Sequence, residues 1–200
     1  MNSDDLLVLA WEDVFKGVRE LAQKIYLSKY VADVIIGVFR NGWIVGRLLG
    51  DLLGVEEIGG IGIKFYRGIG ETRERPLVIS GPTINVRDQK VLLVDDVSDS
   101  GRTLQTAIDL VRLYGAKEIR TATLYIKKRT MLVPDYYNDS TDKWIVFPWE
   151  YGEIIREISM KRFGDLSLQS IKKTMDLLRI NDEELMKIIY ESSMIKLRRV

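Results

Sequence analysis

Three carboxylates and three hydroxyl groups occur within the nine residues from Asp95 to Thr103. The apolar residues 91–94 predict a short buried strand before this stretch, and apolar residues recur after it at helical spacing (Leu104, Ala107, Ile108 and Val111). The polar stretch therefore lies between the carboxyl end of a strand and the amino end of a helix. Unpaired backbone N–H groups and the positive end of the helix dipole make such a position suitable for a phosphate group.

The side chains of this stretch also limit the kind of anion that can bind. The hydroxyls of the loop 98–103 can donate to a phosphate, and Gly101 allows close approach of the backbone. Asp95 and Asp96 would repel an anion unless a cation or the hydroxyls of a sugar lay between them. The combination predicts a phosphorylated sugar bound together with Mg²⁺. The alternative is an ordinary strand–loop–helix corner in which the Asp and Ser side chains only cap the helix.

The overall composition excludes several classes of chemistry. The chain has 200 residues and is 46% hydrophobic, which predicts one domain with a small appendage. The net charge of +1 gives no reason to expect nucleic acid or an anionic membrane as a partner. The absence of Cys and His excludes disulfides, thiolate catalysis and imidazole chemistry, so acid–base work falls to carboxylates, Lys or Tyr. With no span-length apolar run and no basic segment beside Asp4 and Asp5, we expect a cytoplasmic protein.

Strands and helices alternate through the central region of the chain. Apolar patterns predict a helix from Trp11, a strand at 31–39, a helix at 44–53, strands at 57–66 and 119–126, and a helix that ends near Gly115. This alternation predicts an α/β fold with a mainly parallel sheet that is covered by helices. In such a fold the loops that bind ligands gather at the carboxyl edge of the sheet.

Two further loops are candidates for anion binding at the same edge. Arg40, Asn41 and Gly42 follow the strand 31–39, so a cation and a glycine-bearing turn lie at its tip. Residues 67–88 form a polar, Arg-rich passage that predicts a mobile lid, with Arg73 and Arg75 as its candidate cations. A solvated hairpin without function explains these arginines equally well.

The ten residues 94–103, Val-Asp-Asp-Val-Ser-Asp-Ser-Gly-Arg-Thr, closely resemble the motif with which type I phosphoribosyltransferases bind phosphoribosyl pyrophosphate (PRPP). The resemblance implies the type I phosphoribosyltransferase fold, with Mg²⁺ as cofactor, PRPP as one substrate and a likeness to archaeal members. It also implies three ligand contacts. The 5′-phosphate would be held by Ser98, Asp99, Ser100, Gly101, Arg102 and Thr103, the ribose hydroxyls and Mg²⁺ (directly or indirectly) by Asp95 and Asp96, and pyrophosphate by Arg40, Asn41 and Gly42. Asn41 stands where the family commonly has Gly.

A second resemblance, to the xanthine-guanine and hypoxanthine branch of the family, concerns the acceptor. It implies a base-binding hood at about residues 128–151, in which Trp144 stacks on a purine and the backbone from Ile145 reads its edge. Asp99 would contact N7 of the base and act as the catalytic residue in proton transfer. Lys127 would donate to the exocyclic oxygen of a 6-oxopurine, so hypoxanthine or guanine is favoured over adenine. Adenine phosphoribosyl transfer on the same scaffold remains the alternative.

The resemblance ends after Tyr151. We therefore expect a phosphoribosyltransferase domain at 1–151 and a C-terminal extension of three helices at 152–200, and the family relation implies a homodimer. A DNA-reading helix pair is disfavoured because acidic residues open the third helix, where a reading helix would meet phosphates. A non-catalytic PRPP-sensing regulator is the rival from another class, although a sensor needs neither Asp99 nor Lys127. A PRPP synthetase-like kinase would need a chain long enough for two such domains.

Overall fold

The computed structural model describes residues 3–66 and 75–197, which form two compact units. Residues 14–142 form the larger unit, and the described residues before 14 and after 142 form the smaller one. The strands are β1 (Leu6–Val8), β2 (Val34–Phe39), β3 (Ile58–Tyr66), β4 (Arg75–Ser80), β5 (Lys90–Ser98), β6 (Glu118–Ile126), β7 (Tyr136–Ser140) and β8 (Trp144–Val146). The helices are α1 (Trp11–Leu27), α2 (Asn41–Leu53), α3 (Arg102–Leu113), α4 (Tyr151–Phe163), α5 (Leu168–Leu178) and α6 (Glu183–Leu197).

The larger unit is built on a six-stranded sheet in the order β4-β3-β2-β5-β6-β7. All neighbouring strands run parallel except β4, which pairs antiparallel with β3 at one edge. The expectation of an α/β fold with a mainly parallel sheet flanked by helices is thereby confirmed. Strand β5 lies between β2 and β6, and its residues 91–94 are fully buried. A strand covered on both faces needs such a continuous apolar run, which explains why the pattern does not alternate with polar residues.

The two faces of the sheet are covered by different helices. Helix α3 packs on the face that contains Leu93, with which its buried residues form one apolar cluster (Leu104, Ala107 and Val111). Helix α2 packs closely on the other face: a Cβ atom added at Gly46 would lie 3.1 Å from Cγ2 of Ile35. Because α2 follows β2 and α3 follows β5, the first turns of both helices lie at the carboxyl edge of the sheet.

Strand β5 is longer than the apolar run 91–94 predicts. Its pairing with β6 continues through Asp95, opposite Thr123, to Ser98, opposite Ile126. Asp95 and Asp96 therefore lie within the strand and not after its end, and the loop before α3 is correspondingly shorter. Ladder hydrogen bonds to β6 decide this extension, and they are invisible in the local apolar pattern.

The smaller unit joins the start of the chain to its C-terminal helices. Strand β1 pairs parallel with β8, with Leu7 opposite Ile145. The three predicted helices are present as α4, α5 and α6, and they share a core with both strands (Leu6, Val146, Ile154, Ile155, Ile171, Met175, Leu178 and Ile189). Near the start of α5 the N–H of Ser170 is capped by Ser167, and near the start of α6 the N–H of Leu185 is capped by Asp182.

The unit boundaries differ from the predicted division at residues 151 and 152. The sequence placed β1 and β8 with the transferase domain, whereas in the structure they belong to the unit of the C-terminal helices. Strand β7, which falls within the predicted hood, is part of the six-stranded sheet. No helix in the described part of the chain is both long and apolar enough to cross a membrane.

Candidate active site

The carboxyl ends of β2 and β5 bring two of the predicted loops together. The strands are direct neighbours, with Gly37 opposite Val94. A Cβ atom added at Gly42 would lie only 2.5 Å from the carbonyl oxygen of Val94 and 2.7 Å from Cα of Asp95. Only glycine fits at this contact, so the first turn of α2 rests directly on the end of β5. The Phe39–Arg40 peptide bond that enters this turn is cis.

A side-chain hydrogen bond joins the two loops. Nδ2 of Asn41 donates to Oδ2 of Asp96 at 3.1 Å. Arg40 precedes Asn41 at the N-terminal boundary of α2. The structure thus places the predicted pyrophosphate residues beside the predicted ribose and metal residues.

Asp95 and Asp96 form a pair of largely buried carboxylates. Oδ1 of Asp95 accepts a hydrogen bond from the backbone N–H of Asp96, and Oδ1 of Asp96 accepts one from the N–H of Val97, each at 3.0 Å. Burial raises the pKa of Asp95 well above its ordinary value, and the charge of Asp96 raises it further. Burial also raises the pKa of Asp96, against the lowering effect of the hydrogen bonds that it accepts. A bound cation or the donated hydroxyls of a ribose would favour the ionised pair.

The loop after β5 surrounds a pocket with the properties of an anion site. Residues 97–104 line a pocket of about 280 Å³ at the amino end of α3. Gly101, immediately before the helix, has a φ of +80°, and a Cβ atom there would lie 2.7 Å from the backbone nitrogen of Leu132. No acidic residue occurs in the first turn of α3, so the positive end of its dipole is not neutralised from within that turn.

The hydroxyl of Ser98, which was predicted to bind the 5′-phosphate, forms hydrogen bonds within the protein. Ser98 is 2% exposed, and its Oγ lies 2.9 Å from Oγ1 of Thr130 and donates to the carbonyl oxygen of Leu132 at 3.0 Å. In this arrangement Ser98 holds the loop against the turn at 130–132. Its part in binding the 5′-phosphate stays a prediction, as do those of Ser100, Arg102 and Thr103.

The turn after β6 forms the other wall of the loop. The N–H of Lys127 donates to the carbonyl oxygen of Ser98 at 3.0 Å, and the N–H of Met131 donates to that of Ser100 at 3.2 Å. Burial lowers the pKa of the Lys127 ammonium group. Because β5 and β6 are parallel neighbours, Lys127 follows Ile126 at the same edge as Asp99. The predicted proton acceptor and the predicted base-reading lysine are thus next to each other.

Sequence reasoning missed one residue that contacts this site. Two nitrogen atoms of the Arg129 guanidinium group donate to Asp99: Nε lies 2.7 Å from Oδ1 and Nη2 lies 2.6 Å from Oδ2. The hydrogen bonds that Arg129 donates to Asp99 raise the pKa of the Arg129 guanidinium group. The basic run 127–129 at the end of a strand adjacent to β5 was the signal that could have identified this contact.

Three of the remaining predicted residues lie on other strands, and one lies outside the described residues. Trp144 and Ile145 lie in β8 of the smaller unit, where Trp144 is 53% exposed and Ile145 is buried. Arg73 lies outside the described residues, and Arg75 begins β4 but its side chain is outside the description. Within residues 3–66 and 75–197, no group of three or more His, Cys, Asp or Glu side chains could hold a metal ion.

Comparisons with known proteins match the larger unit and part of the smaller one. Residues 7–154 match the model of the phosphoribosyl transferase domain. The xanthine-guanine phosphoribosyltransferase of Gluconobacter oxydans (strain 621H) is 26% identical over 144 residues, which is 71% of this chain and 83% of that protein. The hypoxanthine-guanine phosphoribosyltransferase of Homo sapiens is 34% identical over 88 residues, and there the match spans 41% of this chain and 40% of the relative.

Solved structures agree with the sequence relatives. The crystal structure of purine phosphoribosyltransferase from Pyrococcus horikoshii Ot3 has a TM-score of 0.65 and 42% identity, covering 72% of this chain and 93% of that one. The Helicobacter pylori xanthine-guanine-hypoxanthine phosphoribosyltransferase has a TM-score of 0.66 over 72% of this chain and 94% of that one, and at 23% identity it supports the fold alone.

Proposed function

This chain belongs to the phosphoribosyl transferase family, and we propose that it transfers the 5-phosphoribosyl group of PRPP to a 6-oxopurine. It is a glycosyltransferase-type enzyme of purine salvage, releasing a nucleoside monophosphate and pyrophosphate. The observation that carries the purine assignment is the 42% identity to a purine phosphoribosyltransferase that this chain covers almost completely. We further propose which purines are preferred, which cofactor is used and which residues bind each part of the substrates.

The geometry of the loops supports a model in which three groups of residues bind the three parts of PRPP. The 5′-phosphate binds in the pocket lined by residues 97–104, where the dipole of α3 and the backbone N–H groups favour a dianion. The ribose hydroxyls donate to Asp95 and Asp96 at the end of β5. The pyrophosphate binds at the turn 40–42, whose backbone is held against β5 by the close packing of Gly42.

The carboxylate pair fits a magnesium ion that arrives with the substrate. Mg²⁺ is typically bound by one or two carboxylates together with phosphate oxygens and water, and it does not require a cage of protein ligands. Asp95 and Asp96 supply such a pair, and a bound cation would oppose the effect of burial, which raises the pKa of both carboxyl groups. When bound, Mg²⁺ would neutralise the negative charge that develops on the leaving pyrophosphate.

Asp99 is the proposed proton acceptor. As the C1–O bond to pyrophosphate breaks, its electron pair leaves with pyrophosphate, and the purine nitrogen forms the new bond to C1. The purine is left with a proton in excess, which passes from N7 to the carboxylate of Asp99. The carboxylate of Asp99 has lone pairs that can accept this proton, and the absence of His leaves few other candidates for the role.

Lys127 and Trp144 are the proposed base-binding residues. An ammonium group can donate to the O6 atom of hypoxanthine, guanine or xanthine. Adenine presents an amino donor at this position, and a half-buried donor without an acceptor costs about 1–3 kcal/mol. The resemblance assigns stacking to Trp144 and edge recognition to the backbone at Ile145. We further propose a cytoplasmic homodimer, on the same resemblance, with neither nucleic acid nor a membrane as partner.

One assay tests the proposed activity. The protein is incubated with PRPP, Mg²⁺ and one of six bases (adenine, hypoxanthine, guanine, xanthine, uracil or orotate), and pyrophosphate release is measured. We expect release with at least one 6-oxopurine at a rate about tenfold or more above that with adenine, as the energy of the mismatched donor implies. A preference for adenine would overturn the 6-oxopurine assignment. Silence with all six bases would favour the PRPP-sensing regulator.

A further inference from the structure

The ion pair between Asp99 and Arg129 is bidentate. The planar guanidinium group meets the carboxylate with two donors on two oxygens, at 2.7 and 2.6 Å. Three other arginines in the described part of the unit pair differently: Arg47–Asp51 and Arg112–Asp109 are separated by 3.7 Å, and Arg120 divides its donors between Asp135 and Glu118. A bidentate pair fixes the plane of the carboxylate as well as its position.

The backbone on both sides of the pair is held in place. Lys127 and Met131, which flank Arg129, donate to the carbonyl oxygens of Ser98 and Ser100, which flank Asp99. The turn that carries the guanidinium and the loop that carries the carboxylate are therefore joined at two points. Because the backbone is fixed on both sides, the side chains of Arg129 and Asp99 are held close to each other.

The pair contributes little to folding stability. The side chains of Arg129 and Asp99 are 72% and 51% exposed. Exposed pairs of this kind typically contribute at most about 1 kcal/mol, because water and salt screen the attraction. The main effect of the bidentate pair is therefore to orient the carboxylate of Asp99, and its effect on stability is smaller.

We propose that Arg129 is a positioning residue that aims the carboxylate of Asp99 at the purine, an inference that rests on the proposed role of Asp99 as proton acceptor. The two donors of the guanidinium occupy one lone pair on each carboxylate oxygen, and the other lone pairs remain available to the substrate. Since the plane of the carboxylate is fixed, the direction of those remaining lone pairs is fixed too. The proton from N7 then meets an acceptor that is already aligned.

Two matched substitutions test this role. Arg129→Met removes the fork, and Arg112→Met removes an exposed arginine of α3 that lies 3.7 Å from Asp109. We expect Arg129→Met to lower kcat by about 10- to 100-fold while the KM for PRPP changes less than about threefold. Arg112→Met leaves both values unchanged. Arg129→Lys keeps the charge but not the fork, so it restores only part of the lost kcat.

A double-substitution cycle separates positioning from direct contact with substrate. Asp99→Ala alone lowers kcat by about 10²- to 10⁴-fold if Asp99 accepts the proton, whereas Asp109→Ala, a paired carboxyl on the exposed side of α3, does not. If Arg129 acts through Asp99, the variant with both Asp99→Ala and Arg129→Met is no slower than Asp99→Ala alone. Multiplying losses would show that Arg129 acts on the substrate directly, which would overturn the inference.

The outcomes also separate this inference from the proposed function. Wild-type kcat in Arg129→Met, beside an impaired Asp99→Ala, overturns the inference and leaves the proposed function intact. Wild-type kcat in Asp99→Ala removes the proposed proton acceptor and the inference with it. An equal loss in Arg129→Met and Arg112→Met would assign the effect to the loss of one positive charge and would equally overturn the inference.

Discussion

Asn41 donates a hydrogen bond to Asp96 across the boundary between β2 and β5. Asn41 stands where the resembled family commonly has Gly, so the contact is a property of this chain's own side chain. The bond opposes the effect of burial on the pKa of Asp96, because it favours the ionised carboxylate. Asn41 therefore supports the charge on the residue that is proposed to face ribose and Mg²⁺.

Asn41→Gly should weaken the binding of PRPP. Removal of the amide leaves Asp96 with one donor fewer, and a hydrogen bond to a charged group contributes about 1.5–3 kcal/mol. We expect the Kd for PRPP in the presence of Mg²⁺, measured by titration calorimetry, to rise about tenfold or more. Asn85→Gly is the matched control, because Asn85 is exposed and its Oδ1 only accepts from the N–H of Arg87. An unchanged Kd in Asn41→Gly would mean that the contact does not act on substrate binding.

Gly101→Ala should damage the phosphate pocket more than it damages the fold. Gly54 and Gly101 both have positive φ, at +69° and +80°, so an added Cβ strains both by about 1 kcal/mol. The space around them differs: nothing lies within 4 Å of a Cβ at Gly54, whereas one at Gly101 would meet Leu132. We expect a small loss of Tm in Gly54→Ala and a larger one in Gly101→Ala, where the turn at Leu132 must shift, with a raised KM for PRPP only in Gly101→Ala. Equal KM values would place the 5′-phosphate elsewhere.

Asp95→Asn should stabilise the ligand-free protein while reducing its activity. A carboxyl whose pKa rises on folding keeps its proton in the folded state at pH values where the unfolded chain has lost it. The free energy of unfolding contributed by this group therefore falls as the pH rises above the ordinary value of 3.8, until the folded carboxyl also ionises. The Asn variant lacks this loss, and each kcal/mol gained raises Tm by about 2–4 °C in a chain of this size.

The measurement for Asp95→Asn is Tm against pH, together with the Kd for PRPP. We expect a higher Tm than wild type near neutral pH, convergence of the two below pH 3.8, and weaker PRPP binding. Asp109→Asn, at an exposed carboxyl of α3, serves as the control for charge removal. If the Tm of Asp95→Asn followed that of the wild type at every pH, burial of this carboxyl would not destabilise the folded protein.

Trp144→Ala should weaken the binding of the base and leave PRPP binding unchanged. Stacking of a base on an aromatic side chain contributes about 1–3 kcal/mol. The KM or Kd for the purine reports this loss. Trp11→Ala is the matched control, because Trp11 is 52% exposed and Trp144 is 53% exposed in the same unit. Loss of base affinity in Trp11→Ala alone would transfer the stacking role to that residue.

The α/β class, the parallel sheet and the loop 98–103 could be predicted from the sequence by itself. The apolar run 91–94 and the helical spacing after Thr103 depend on neighbours within a few residues, so they are readable along the chain. The motif at 94–103 identified the family for the same reason, since its chemistry is contained in ten consecutive residues. For Asn41 and Asp96 the sequence predicted only that their loops lie at the same edge of the sheet, and not the hydrogen bond between them.

Tertiary structure decided what depends on the register between distant segments. Pairing with β6 extends β5 to Ser98 and draws Asp95 into the strand, which raises its pKa by burial. Packing of the turn after β6 directs the Ser98 hydroxyl to Leu132 and sets Arg129 against Asp99. Pairing of β1 with β8 assigns the start of the chain to the unit of the C-terminal helices. These contacts join residues far apart in sequence, and local patterns carry no information about which partner each side chain will meet.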